Sequence, residues 1–188
     1  ELEDYSGAIA DYTKALEINP KYGKAYYHRG YAKGELEDYS GAIADYTKAL
    51  EINPKYGKAY YHRGYTKGEL KDYSGAIADY TKALEINPND GKAYYHRGYA
   101  KGELKGYSDA IADYTKALEI NPKDAYAFNN RGYAKSELKG YSGAIADYTK
   151  ALEINPNDVD AYINRVSAGR RSEDYTGAIA DYTKLLQI

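Results

Sequence analysis

Residues 23–36 read GKAYYHRGYAKGEL and residues 39–54 read YSGAIADYTKALEINP. In the second stretch Ala42, Ile43, Tyr46, Ala49 and Leu50 fall at i, i+1, i+4, i+7 and i+8, which is one face of a helix. Asp38 or Ser40 can cap its start, and Asn53 followed by Pro54 stops it. The first stretch reads as a second helix running to Leu36. Both are too short to be stable alone, so each depends on packing against neighbours.

Self-alignment returns this pair with a period of 34 residues. Residues 1–34 and 35–68 differ only at Ala32 versus Thr66, and residues 69–102 add three further changes. Residues 103–136 and 137–170 diverge more, and a last copy stops at Ile188 after 18 residues. A period of about 20–50 residues marks a stacked array. Composition agrees: 26 Tyr with one Phe and no Trp or Met is the mark of one short pattern copied many times.

The chain has 188 residues, 43% of them hydrophobic, enough for a core if periodicity places them correctly. Lys and Arg total 26 against 28 Asp and Glu, a net charge of −2, which gives no reason to expect a nucleic-acid partner or an anionic membrane. The absence of Cys removes disulfides, thiolate zinc sites and thiol nucleophiles. The first residues carry neither a basic n-region nor an apolar h-region, and there is no initiator Met. The expectation is a processed, excised or designed fragment with a cytoplasmic location.

Tyr26, Gly30, Ala42, Tyr46, Ala49 and Pro54 stand in the order large aromatic, small, small, aromatic, small, proline. At these spacings they resemble the tetratricopeptide repeat family, and the same slots recur at Tyr60, Gly64, Ala76, Tyr80, Ala83 and Pro88 and onward through Tyr162. The departures are Tyr26 in the slot where Trp is usual, Lys33 where an aromatic is usual, and Val166 in a small-residue slot. The resemblance implies an all-α, right-handed superhelical solenoid of antiparallel helix pairs with about eleven helices. It also implies a single array over residues 1–188: an unpaired second helix within residues 1–22, then pairs starting near Gly23, Gly57, Gly91, Ala125 and Val159.

Several residues carry candidate chemistry. His28, His62 and His96 sit one period apart, but equivalent atoms on packed helices are about 8–10 Å apart or more, too far to share an ion held at about 2 Å. No metal site is expected, no cofactor, and no catalytic constellation. Arg29, Arg63, Arg97 and Arg131 occupy a slot where many members of the family have Leu facing the interior of the helix pair. A charge there needs a partner, so each Arg is expected within about 4 Å of an Asp carboxylate, Asp45 or the preceding Asp11 for Arg29. Tyr26, Tyr39 and Tyr46 occupy core slots of the family, where packing is the expected role.

The remaining tyrosines suggest a binding face. Tyr27 and Tyr31, four apart, share a face with Lys24 and Glu35, which in the family lines the concave groove. The expected peptide-binding residues are Lys24, Tyr27, Tyr31, Lys58, Tyr61, Tyr65, Lys92, Tyr95, Tyr99, Asn130, Tyr133 and Asn164. Aligned Tyr and Lys suit an extended or short helical peptide of mildly acidic character. The slots that other family members use to clamp a chaperone's C-terminal carboxylate do not match: Tyr27, Tyr31, His62 and His96 replace the expected Lys, Asn, Asn and Arg, and only Lys92 agrees. The leading reading is a non-enzymatic protein-interaction scaffold. The alternative is a purely structural or engineered array, favoured by the near identity of residues 1–102. Self-association through the uncapped solenoid ends is also expected, at Ala8, Ile9 and Tyr12 on one side and Leu185, Leu186 and Ile188 on the other.

Overall fold

The computed structural model describes residues 4–187. Every regular element in them is helical: α1 (Tyr5–Ile18), α2 (Gly23–Glu35), α3 (Tyr39–Ile52), α4 (Gly57–Glu69), α5 (Tyr73–Ile86), α6 (Gly91–Glu103), α7 (Tyr107–Ile120), α8 (Ala125–Glu137), α9 (Tyr141–Ile154), α10 (Val159–Arg171) and α11 (Tyr175–Leu185). Among the described residues no helix is long and apolar enough to cross a membrane.

The helices gather into two compact units, Glu1–Asn89 and Asp90–Ile188. In the first, α2 packs on α3 and α1, and α4 packs on α5, α3 and α2. In the second, each helix from α6 to α11 packs on the next, and α8 also touches α6 and α10. Within a unit a first helix such as α4 or α8 is therefore covered by its own second helix, by the preceding second helix and by a neighbouring first helix.

Local chemistry explains the elements. Asp38 and Asp72 accept a hydrogen bond from the amides of Gly41 and Gly75 at 3.0 and 2.9 Å, capping α3 and α5. Gly106 and Gly140 replace the capping Asp before α7 and α9, which start without a side-chain cap. Each Asn that follows a second helix ends it by donating its amide to the carbonyl four residues back, as Asn53 does to Ala49 at 2.9 Å. Between the helices of a pair the chain reverses through a left-handed residue, Glu37 at φ 61° or Lys71 at φ 60°. The amide of Glu37 reaches the Gly34 carbonyl and that of Asp38 the Lys33 carbonyl, both at 2.9 Å, closing the helix end with paired bonds.

In α3, α5, α7 and α9 the core is built from alanines, a leucine and one large ring. Ala42, Ala49 and Ala59 are fully buried, and Tyr46 is 2% exposed. A glycine in the facing helix allows the close approach: a Cβ added at Gly132 would lie 2.8 Å from the Tyr148 ring. Glycine inside a helix costs about 1 kcal/mol relative to Ala, which this contact offsets. Tyr26 is half-buried, with its ring 5.5 Å from the Arg29 guanidinium. Tyr39, expected in the core, is only half-buried and lines an open cavity instead.

The interior arginines find their partners. Arg29 Nε and Nη2 donate to the two Asp45 oxygens at 2.8 and 2.7 Å, and the same fork joins Arg63 to Asp79, Arg97 to Asp113, Arg131 to Asp147 and Arg165 to Asp181. The partner is the Asp sixteen residues ahead; the preceding second helix supplies a hydroxyl instead, Arg29 Nη1 donating to Thr13 Oγ1 at 3.1 Å. One guanidinium thus ties three successive helices. Lys33, in the slot where the family usually has an aromatic, completes the cluster at 2.8 Å from Asp45.

At the ends Ala8, Ile9 and Tyr12 are half-buried, Leu185 is half-buried and Leu186 is exposed. Ile188 lies outside the described residues.

Candidate functional site

Where the first helix of one pair meets the next pair, the fold leaves an open cavity walled by phenol rings. In the first unit it measures about 250 Å³ and is lined by residues of α2, α3 and α4, among them Tyr31, Glu35, Tyr39, Tyr46, His62 and Tyr65. In the second unit the equivalent cavity, about 230 Å³, is lined from α6, α7 and α8 by Tyr99, Glu103, Tyr107, Tyr114, Asn130 and Tyr133. These residues lie two 34-residue periods beyond their counterparts, so the repeat carries the cavity with it.

Tyr46 and Tyr114 form the floors. Burial raises the pKa of both hydroxyls far above the ordinary tyrosine range, so they stay neutral donors at any physiological pH. His62 stacks on Tyr46, centroids 6.2 Å apart, and meets Tyr31 edge-on at 5.6 Å. In the second unit Asn130 replaces it and donates its side-chain amide to the Tyr95 hydroxyl at 3.0 Å. Tyr107 and Tyr133 stand edge to face, 6.3 Å apart and inclined at 77°. The outer rings remain open to solvent, Tyr31 at 37%, Tyr65 and Tyr99 at 44% and Tyr133 at 48% exposure.

The structure divides the residues expected to bind a peptide. Tyr31, Tyr65, Tyr99 and Tyr133 form the exposed set, and Lys24, Lys58 and Lys92 are exposed in the first turns of α2, α4 and α6. Tyr27, expected among them, is buried at 8% exposure, its ring against Tyr46, Tyr56 and His62. Burial pushes its hydroxyl pKa up to about 12, with smaller contributions from Tyr56 and Tyr31. The reason is geometric: a first helix has three packed sides, and the position next to the core residue Tyr26 faces the following pair. Tyr95 is half-buried for the same reason, and burial raises its hydroxyl to about 12; Tyr61 is half-buried too, its ring against Tyr80. Asn164, like Asn130, spends its side-chain amide on the neighbouring pair, donating to Asn129 Oδ1 at 3.1 Å.

Glu35, Tyr39 and their counterparts Glu103 and Tyr107 line the cavities but were not among the expected contacts. The signal for Glu35 was present, since it stands four residues after Tyr31 on the same helical face. His28 stacks on Tyr12 at 5.6 Å. Among the described residues no group of three or more His, Asp or Glu could hold a metal ion.

Comparison with known proteins follows the period. A family model described as tetratricopeptide repeat matches residues 23–56, 57–90 and 125–158. A TPR repeat model matches residues 1–36 and 103–139, and another tetratricopeptide repeat model residues 79–112. No curated protein matches the chain. Among solved structures, the chain is similar to YrrB, described as a TPR protein with an unusual peptide-binding site, with TM-score 0.84 and 24% identity over 94% of this chain and 91% of that one. MamA from Desulfovibrio magneticus RS-1 aligns with TM-score 0.84 and 21% identity over 88% of this chain and 93% of that one. A tetratricopeptide repeat protein from Parabacteroides merdae aligns with TM-score 0.81 and 23% identity over 98% of this chain and 73% of that one. At these identities the likeness shows a shared fold, the superhelical repeat.

Proposed function

Because the chain belongs to the tetratricopeptide repeat family, we propose that it is a non-enzymatic protein-interaction scaffold that holds an extended or short helical peptide against the first helices, in the concave groove the family fold implies. The observation that carries this reading is the recurrence, at one slot, of an exposed ring beside a cavity: Tyr31 and Tyr65 in one unit, Tyr99 and Tyr133 in the other. Buried aromatic area is what anchors most peptide interfaces. Phenol hydroxyls satisfy backbone carbonyls and amides whatever the ligand's sequence, and the exposed ammonium groups of Lys24, Lys58 and Lys92 add further donors. That YrrB is described as having a peptide-binding site supports the reading. Chemistry on a substrate would need an acid, a base and a nucleophile in reach of one another, and the ring-lined cavities offer one exposed carboxylate each.

The near identity of residues 1–102 favours a second reading, an array whose repeats serve folding alone. One experiment separates them. A display library of random peptides is selected on the whole chain, and recovered peptides are titrated against it and against Tyr31→Ser/Tyr65→Ser/Tyr99→Ser/Tyr133→Ser. The scaffold reading expects binders whose affinity falls by about tenfold or more in the variant, with helicity unchanged. No binder, or binders indifferent to the variant, refutes it.

A further inference from the structure

The last helix pair departs from the interior charge cluster of the others. In the four pairs before it a lysine joins the arginine on the buried Asp: Lys33 Nζ lies 2.8 Å from Asp45, and those of Lys67, Lys101 and Lys135 lie 2.7 Å from Asp79, Asp113 and Asp147. One period after Lys135 stands Gly169. Asp181 keeps the Arg165 fork, at 2.7 and 2.6 Å, and among the described residues no lysine pairs with it.

A cavity of about 260 Å³ follows the path that the lysine takes in the other pairs, bordered by Gly169, Gly177, Asp174, Asp181 and Arg165. In the pair before, Lys135 runs over Gly143: a Cβ added at Gly143 would meet Lys135 Cδ at 3.4 Å and Nζ at 3.8 Å. Gly177 is the counterpart of Gly143, and Asp181 of Asp147. The start, middle and end of the lysine's path therefore all border the cavity. The side chains of the four lysines are between 20% and 28% exposed, so this path opens to solvent.

We propose that this cavity is a binding site for a primary alkylammonium group, carried by a free amine or by a lysine side chain from outside the array. It lies apart from the ring-lined cavities and holds with or without a peptide at Tyr31 and its copies. Asp181 is 6% exposed and has a guanidinium partner, but so has every other Asp of the series, and each of those takes an ammonium as well. A carboxylate offers about four lone-pair sites, and Arg165 Nε and Nη2 use two of them. Charge points the same way. In the α4 and α5 pair Asp72, Asp79, Arg63 and Lys67 sum to zero, whereas at the matching positions Asp174, Asp181 and Arg165 stand with Gly169, two carboxylates against one guanidinium. A cation restores the balance. An anion would meet like charge, and an apolar group would cover carboxylate oxygens without offering a donor. Ile145 and Ala178 give apolar wall for the methylenes behind the ammonium, as a lysine stem requires.

NMR titration of the whole chain with isotope-labelled glycines tests this. The probes are n-butylammonium chloride, which reproduces a lysine side chain from Cβ to Nζ, its neutral counterpart n-butanol, sodium chloride at equal ionic strength, and Nα-acetyl-lysine amide. The amide signals of Gly169 and Gly177 should shift to saturation with butylammonium at concentrations on the order of millimolar, at least about tenfold more tightly than with butanol. Sodium chloride should leave them in place. Saturation by acetyl-lysine amide as well identifies lysine side chains as a source, and its failure restricts the site to free amines. Gly169→Lys should abolish the Gly177 response by placing the array's own ammonium there. A Cβ at Gly169 would lie 3.2 Å from the Asp174 carbonyl oxygen, so a second variant leaves α10 untouched. Lys135→Gly copies into α8 the glycine that α10 already carries, and it should add a second saturable response, at the Gly143 amide, with the same order of probes. Butanol or sodium chloride acting as strongly as butylammonium, no saturable shift, a wild-type response in Gly169→Lys, or no second site in Lys135→Gly would each overturn the proposal.

Discussion

Asp79→Asn isolates the charge cluster that ties successive helices. Asp79 is buried, and its two oxygens accept from Arg63 Nε at 2.8 Å, Arg63 Nη2 at 2.6 Å and Lys67 Nζ at 2.7 Å. Hydrogen bonds to charged groups contribute about 1.5–3 kcal/mol each. The Asn side chain keeps one acceptor but turns an NH₂ toward donors, so at least one such bond is lost while two cations remain without their anion. Breaking a buried cluster at one member costs about 3–5 kcal/mol. Lys82 and Glu85 provide the contrast at an equal distance, 2.7 Å, but with both side chains 56% exposed. Glu85→Gln should leave stability essentially unchanged, because solvent screens the pair. Stacked repeats open locally, so the readout is hydrogen exchange of the α4 and α5 amides alongside urea unfolding followed by circular dichroism. A loss below about 1 kcal/mol for Asp79→Asn, or equal losses for the two variants, refutes the assignment of the cluster as a helix lock. The triple replacement Arg63→Leu/Lys67→Leu/Asp79→Leu should recover most of the loss, since apolar side chains can replace a buried charge cluster with little net change.

Three further outcomes follow. Lys71→Gly should raise stability by up to about 1 kcal/mol in urea unfolding, because Lys71 sits at φ 60°, where an L side chain is strained and glycine is not; a loss would show that the Lys71 side chain matters more than its backbone. Gly140→Asp should add a few tenths of a kcal/mol or more by restoring the cap that α9 lacks and α5 has, with no change meaning that the Asp caps are satisfied by water at no cost. The chain should unfold at alkaline pH through its tyrosines: the Tyr27 hydroxyl is held near 12 in the folded chain against 10.0 unfolded, so the unfolded state releases its proton first and stability falls as pH rises from about 10 toward 12. Absorbance of tyrosinate against circular dichroism checks this, and buried tyrosines ionising near 10 with helicity intact would contradict it.

Much of the fold was legible because the period is strict. The all-α class and the helix pairs follow from apolar spacing, Asp caps and the Asn-Pro stops, and the interior slot of Arg29 demanded an anion that Asp45 supplies. The choice between Asp45 and Asp11 was not legible, because it depends on which second helix faces the guanidinium, a tertiary fact. The candidate site was legible in part. Spacing around α2 put Tyr27 and Tyr31 on one side, but spacing describes a lone helix, and Tyr27 is covered because the next pair packs over it. Tyr39 carried the mark of a core slot, yet it stands at the first turn of α3, where the stack leaves room for a cavity.

Ring-selective labelling of the tyrosines and a titration by NMR with a library-selected peptide put the claim to its most direct test. The ring signals of Tyr31, Tyr65, Tyr99 and Tyr133 should shift together as the peptide is added, while those of buried Tyr80 and Tyr148, which line neither cavity, stay in place. Shifts confined to other exposed rings, such as Tyr22 and Tyr175, would place the peptide elsewhere and contradict it.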